Sequence, residues 1–170
     1  AGRSEFGIEV VVATPGGNAV TSLGGLRVSA DLGMEELDPS TVDALVLCGG
    51  TIWQSPAAPD IAPLVDAFSR AGRLIGAICD AVPALAGIGT LDDVAHTGND
   101  RSSFETLGYK GIARYVDAPS AHAGGKIVTA GGNAPISFAI EMLVALGFER
   151  SHLEQYGAIM AAEHGPAVSP

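Results

Sequence analysis

Cys79 stands at a junction. In "RLIGAICDAVPALAGIG" (73–89) apolar and small residues lead into the thiol, Asp80 follows at once, and an alanine-rich helical pattern begins. A nucleophile between a buried strand and a helix sits on a sharp bend that lifts it above the end of the sheet. A thiol at a helix N-terminus also meets the positive end of the helix dipole, which favours thiolate. The small neighbours Ala77 and Ala81 permit close packing around it. The competing reading is a cysteine that fills space, since free thiols are often buried. Position alone balances the two.

Asp80 admits two roles. A carboxylate close to the thiol would oppose its ionisation; pointing away, it would cap the helix N-terminus, which is the favoured reading. Its backbone N–H, next after the nucleophile, is a candidate oxyanion donor. His96 in "VAHTGND" is the candidate base, because imidazole exchanges a proton near neutral pH. A histidine hydrogen-bonded at a strand end explains it equally well. His122 precedes a turn and reads as surface; His152 and His164 read as solvated.

The elements that must hold these residues alternate between strand and helix patterns. "IEVVVAT" (8–14) is a β-branched run stopped by "PGGN", and Gly24-Gly25 within 19–33 marks a hairpin. "DALVLCGG" (43–50) and "LIGAIC" (74–79) are near-continuous apolar strands, as in sheets covered on both faces. Ile61, Leu64, Val65 and Phe68 recur at helical spacing within 58–72, with Gly72 as C-cap. A short helix is expected over 100–108, a strand over 113–118, and a turn and strand over 121–132. A helix over 134–147 carries Ile136, Ile140, Leu143 and Val144 on one face. A last helix covers 150–165, and 166–170 reads as a loose tail. The class is α/β with a mostly parallel sheet.

Ligands in such folds collect at the carboxyl ends of the strands. Three notable loops fall there: Gly49-Gly50, Cys79, and "GGNAP" with Gly131, Gly132 and Asn133. Cys48, just before Gly49, reads as an inert core thiol. Trp53 is a possible pocket wall, although a lone Trp more often packs.

Composition sets the boundaries. With 170 residues, 47% hydrophobic and 16% charged, the chain is globular and long enough for one domain with a sizeable core. Net charge is −10 with no basic run, so neither nucleic acid nor an anionic membrane is an expected partner. No apolar run approaches the roughly 18–20 residues of a membrane span. The N-terminus lacks the pattern of a signal peptide. Two cysteines make no disulfide framework and fit a reducing cytoplasm. The scattered histidines and unpaired cysteines support no metal site, and no cofactor is expected.

"DALVLCGG", "RLIGAICDAVPALA", "HTGND" and "GGKIVTAGGNAPISFAIEML" together resemble the ThiJ/PfpI superfamily, itself similar to class I glutamine amidotransferases. The resemblance runs from about Ile8 to Gly147. It implies a flavodoxin-like three-layer sandwich, a reactive cysteine at Cys79, and a homodimer or larger assembly. It implies that the Gly49-Gly50 loop lies beside the cysteine, with the Gly50 amide as first oxyanion donor. His96 matches a histidine near the cysteine in some members.

Two departures stand out. Proteolytic members carry histidine directly after the cysteine, where this chain has Asp80, so a Cys-His-acid triad is in doubt. The family also begins with a strand and helix carrying an acid bonded to the cysteine. Here residues 1–17 resemble the end of that helix and the second strand, and Glu5 and Glu9 come too late to match the acid. A preceding segment of roughly 20–30 residues, the size of a strand-plus-helix unit, is expected to fill the gap.

Three functions follow as expectations. The first is a cysteine-dependent hydrolase or amidase, or a glyoxalase or deglycase-type enzyme, acting on a small-molecule or peptide substrate. The second is a stress sensor or chaperone using reversible oxidation of Cys79. The third is a small-molecule binding domain without activity.

Overall fold

The computed structural model describes residues 2–3 and 7–162. The expected tail at 166–170, together with Glu5 and His164, lies outside them. In chain order the strands are β1 Gly2–Arg3, β2 Glu9–Val10, β3 Ala13–Thr14, β4 Val20–Thr21, β5 Arg27–Val28, β6 Leu32–Gly33, β7 Ala44–Leu47, β8 Leu74–Ile78, β9 His122–Gly124 and β10 Ile127–Ala130. The helices are α1 Ala62–Arg70, α2 Ala81–Gly87, α3 Ser102–Glu105, α4 Pro135–Ala145 and α5 Arg150–Ala162.

The main sheet has the order β7-β8-β10-β9. β7, β8 and β10 run parallel, and β9 turns back antiparallel on β10. β8 occupies the interior because its residues suit burial on both sides. Ile75 and Ala77 enter one core with Leu45 and Leu47 of β7, Val65 and Phe68 of α1, and Leu85 of α2. Leu74 enters the other core with Val128, Ala130, Phe138 and Met142. The alternation of β8 side chains thus feeds two cores, which makes a three-layer, flavodoxin-like sandwich.

Gly76 explains how α4 reaches the sheet. A Cβ there would lie 2.6 Å from Met142 Sδ and 2.9 Å from Phe138 Cζ. The deepest face of α4 is therefore Phe138 and Met142, not the expected Ile136, Ile140, Leu143 and Val144, which are half-buried. Ile136 and Ile140 pack instead near Gly157 of α5. A helix covered on two sides has two apolar faces, and periodicity does not say which one meets the sheet.

α1 ends as its glycine implies. Gly72 takes φ 66°, its N–H donates to the Ser69 carbonyl, and the Arg73 N–H reaches back to the Phe68 carbonyl. This is a Schellman closure.

Other expectations change. The 8–14 run divides into β2 and β3, and β3 pairs in parallel with β6 apart from the main sheet. Residues 2–3 form a strand antiparallel to β2 rather than a helix end. The hairpin appears as β4–β5, with Val20 opposite Val28. The strand expected over 113–118 is absent: a 3-10 turn covers Lys110–Arg114, and a single bridge joins Tyr115 to His96. Tyr115 is spent packing against the ring cluster rather than extending a ladder. β7 is one edge of the main sheet, and Val46 on it is 45% exposed.

Candidate active site

β8 delivers Cys79 to the carboxyl end of the sheet, and α2 starts directly beyond Asp80. Among the described residues Cys79 is the one non-glycine with positive φ, at 61°. That conformation costs an L-residue roughly 1–2 kcal/mol, and such strain gathers at functional sites. Its N–H donates to the Ala130 carbonyl and its carbonyl accepts from the Val82 N–H, so both sides of the bend are pinned. The thiol itself is half-buried.

Two glycines let the backbone close around it. A Cβ on Gly49 would stand 2.7 Å from Cys79 Cβ and 3.1 Å from the Ile78 carbonyl oxygen. One on Gly132 would stand 3.0 Å from Sγ. The Gly49-Gly50 turn and the turn after β10 therefore both meet the cysteine. Gly131 packs behind, against the Gly98 backbone. Asn133 is exposed and, among the described residues, has no hydrogen bond to the cluster.

Asp80 does not cap α2. Its φ and ψ are helical (−67° and −9°), not the extended values that aim a capping side chain at the helix N–H groups. The bend is already complete at Cys79. The carboxylate instead accepts from Gln54 Nε2 at 2.8 Å and from Asn99 Nδ2 at 2.9 Å. Asn99 Nδ2 also faces Cys79 Sγ at 3.5 Å, and Asn99 Oδ1 accepts from the Gly132 N–H at 2.8 Å. Four loops at the sheet's carboxyl end are stitched together here.

His96 is elsewhere. Its ring is fully buried among Phe104, Tyr109 and Tyr115. Nδ1–H donates to the Val94 carbonyl at 2.7 Å, and Nε2 accepts from the Tyr109 hydroxyl at 2.8 Å. The carbonyl can only accept, which fixes the tautomer. Burial holds the imidazole below its ordinary pKa, against an opposing pull from the Val94 carbonyl. Both ring nitrogens are occupied, so the hydrogen-bonded alternative describes His96 and no bond joins it to Cys79.

Trp53 packs half-buried against the core and its indole N–H donates to the Cys48 carbonyl at 2.8 Å. That bond braces the Thr51–Gln54 turn which carries Gln54 to Asp80. Cys48 is exposed rather than a core thiol, because alternation turns it away from the face of Leu45 and Leu47.

Asn99 and Gln54 were the members that sequence reasoning missed. Asn99 lies inside "HTGND", where the histidine drew attention, and Gln54 follows Trp53. Their signal was weak: polar residues just beyond strand ends. A cleft of about 360 Å³ lined by Ser69, Arg73 and Lys126 lies at the opposite end of the sheet. Its lining holds no cysteine or histidine, and the Arg73 guanidinium is already bonded to Asp43 and to the Pro39 and Ser40 carbonyls. The candidate site is the cluster around Cys79.

The DJ-1/PfpI family model matches residues 3–145. This chain belongs to the DJ-1/PfpI family. The Bacillus subtilis (strain 168) protein named "Uncharacterized protease YoaZ" is 33% identical over 141 residues, 82% of this chain and 67% of that protein. A second protein of the same strain, "Uncharacterized protease YdeA", is 31% identical over 148 residues, covering 86% and 72%. The crystal structure of the DJ-1 superfamily protein Atu0886 from Agrobacterium tumefaciens superposes with a TM-score of 0.91 at 47% identity, over 95% of this chain and 87% of that one. Like Atu0886, on which it superposes, this DJ-1/PfpI chain is a sandwich around a mostly parallel sheet. Among its described residues no helix is long and apolar enough to cross a membrane.

Proposed function

We propose that this DJ-1/PfpI chain is a cysteine-dependent enzyme, of hydrolase or glyoxalase type, acting on small carbonyl compounds. The observation that carries the reading is the strained φ of Cys79 on a strand-to-helix bend, with Gly49 and Gly132 in close approach. Such a bend costs stability and presents the thiol at the carboxyl end of the sheet. The protease names of the Bacillus subtilis relatives favour hydrolysis in the same direction.

In this reading Cys79 sulfur bonds to the carbonyl carbon while the C=O π pair moves to oxygen. The Gly50 and Asp80 backbone N–H groups receive that charge. For an amide or ester, the thiol proton passes to water, the oxyanion re-forms the carbonyl as the bond to the leaving nitrogen or oxygen breaks, the leaving group takes a proton from water, and a second water hydrolyses the thioester to the acid and the free thiol. For an α-oxoaldehyde the oxyanion takes a proton from water to give a hemithioacetal, a proton shift from its carbon to the neighbouring carbonyl gives a 2-hydroxy thioester, and water hydrolyses that to the 2-hydroxy acid and the free thiol. The site is open to solvent, since Gln54, Asn99 and Gly132 are exposed. Among the described residues no imidazole bonds the thiol. That favours small activated carbonyls over the peptide bonds of folded proteins, whose amine leaving groups need a general acid.

The proposal includes a homodimer and a cytoplasmic setting.

The test compares turnover of aryl esters, amides and methylglyoxal by native protein and Cys79→Ser. Loss of turnover with C79S, and a covalent mass adduct on Cys79 in the native protein, are expected. Turnover that survives C79S overturns the mechanism. Mass gain from mild peroxide at Cys79, with no turnover of any substrate, points instead to an oxidation sensor.

A further inference from the structure

A surface asparagine with three hydrogen bonds is unusual economy, and the pattern around Asn99 has only one consistent orientation. The Gly132 N–H can only donate, so the group it meets is Asn99 Oδ1. The amide nitrogen then faces Asp80 Oδ1 at 2.9 Å and Cys79 Sγ at 3.5 Å. An NH2 group has two hydrogens, one for each. Asp80 is held in turn from its far side, where Oδ2 accepts from Gln54 Nε2. Gln54 sits on a turn braced by the Trp53 indole. The chain of bonds runs Gln54 to Asp80 to Asn99 to the sulfur.

We propose that Asn99 donates to the reacting sulfur and that Gln54 and Asp80 are positioning residues that aim its amide. This rests on the reading of Cys79 as the nucleophile and names the groups that support it. The arrangement also resolves the carboxylate beside the thiol. Asp80 spends its charge on two amides, and the Asn99 amide stands between that carboxylate and Sγ. A donor aimed at sulfur favours its anionic form, as it does for an oxyanion. The Gly132 link makes the donor rigid, because the backbone N–H fixes the amide plane. Gln54 acts at a distance from the sulfur, so its effect exists only while Asn99 is present.

Alkylation of Cys79 by iodoacetamide, followed by peptide mass spectrometry, reads the relay. We expect Asn99→Ala to slow the reaction at pH 6.5 by about tenfold, and at pH 9.5, where thiols ionise anyway, by less than about twofold. Gln54→Ala, at an exposed turn, slows it in the same direction by about threefold at pH 6.5, as a weaker perturbation of a charge-assisted bond. The double variant N99A/Q54A is no slower than N99A. Asn99→Asp keeps the acceptor for Gly132 but loses the donor, and slows the reaction at least as much as N99A. Equal rates for N99A, Q54A and native protein at pH 6.5 overturn the relay. So does an equal loss at both pH values, or additive losses in the double variant. These outcomes are separate from failure of the functional reading, which is a native Cys79 that alkylates no faster than Cys48.

Discussion

Gly49 and Cys79 touch across the ends of β7 and β8, with room for no carbon between them: an added Cβ would fall 2.7 Å from the cysteine Cβ. The obstacle on the other side is the Ile78 carbonyl oxygen, which is backbone and cannot swing away. Gly49→Ala therefore pushes the elbow itself. We expect a stability loss of about 1–3 kcal/mol, the usual range for overpacking, and slower alkylation of Cys79. Urea denaturation and iodoacetamide kinetics check both; an alanine tolerated without either effect would mean the two strands slide freely.

The positive φ of Cys79 gives a test of strain. Glycine reaches that region without penalty, so Cys79→Gly should be at least as stable as Cys79→Ala, by up to about 1–2 kcal/mol. Cys79→Val should be the least stable of the three, since a β-branched residue tolerates this conformation worst. Thermal melts of the three variants rank them.

His96 makes the fold sensitive to acid. Burial holds its pKa below the ordinary value of 6.5, so between that value and the folded one the unfolded chain binds more protons. Stability contributed by neutral His96 is present above about 6.5 and is lost as pH falls towards the folded pKa. Protonation also converts Nε2 from acceptor to donor, opposing the Tyr109 hydroxyl. The urea midpoint should fall between pH 7.5 and 5.5, and less steeply in a His96→Gln variant. A parallel pH dependence in the two proteins would remove His96 as the cause.

Glu141 and Arg150 form a two-bond clamp between α4 and α5, at 2.8 and 2.9 Å. The hydrogen bond from Arg150 holds the carboxyl below its ordinary range, so this contribution exists above that range and fades as pH falls through the lowered value. Both side chains are partly exposed, so solvent screening keeps the contribution small. We expect Glu141→Gln to loosen α5 locally, seen as faster amide exchange in 150–162, with little change in the global melt.

The sequence by itself determined the layers. The near-continuous apolar run at 74–79 calls for a sheet covered on both sides, and the helical spacing of Ile61, Leu64, Val65 and Phe68 supplies one cover; the similar run at 43–50 became an edge strand whose Val46 and Cys48 face is exposed. It also placed the bend at Cys79-Asp80, because a short buried strand that runs straight into a helix leaves only these two residues to turn the chain. These are local consequences of pattern and chain geometry.

Tertiary structure decided who touches the sulfur. The Cys79-Asp80 bend, Gln54, Asn99 and Gly132 lie on four different loops, and hydrogen bonds between them depend on loop paths that no spacing encodes. His96 shows the same limit from the other side. Its titration range suited catalysis, but three aromatic rings and the Val94 carbonyl captured it in the core. Asp80 suited an N-cap by residue type, yet the chain had already turned one residue earlier, leaving its carboxylate to two amides. Residue type sets what a side chain can do; the meeting of four loops sets what it does.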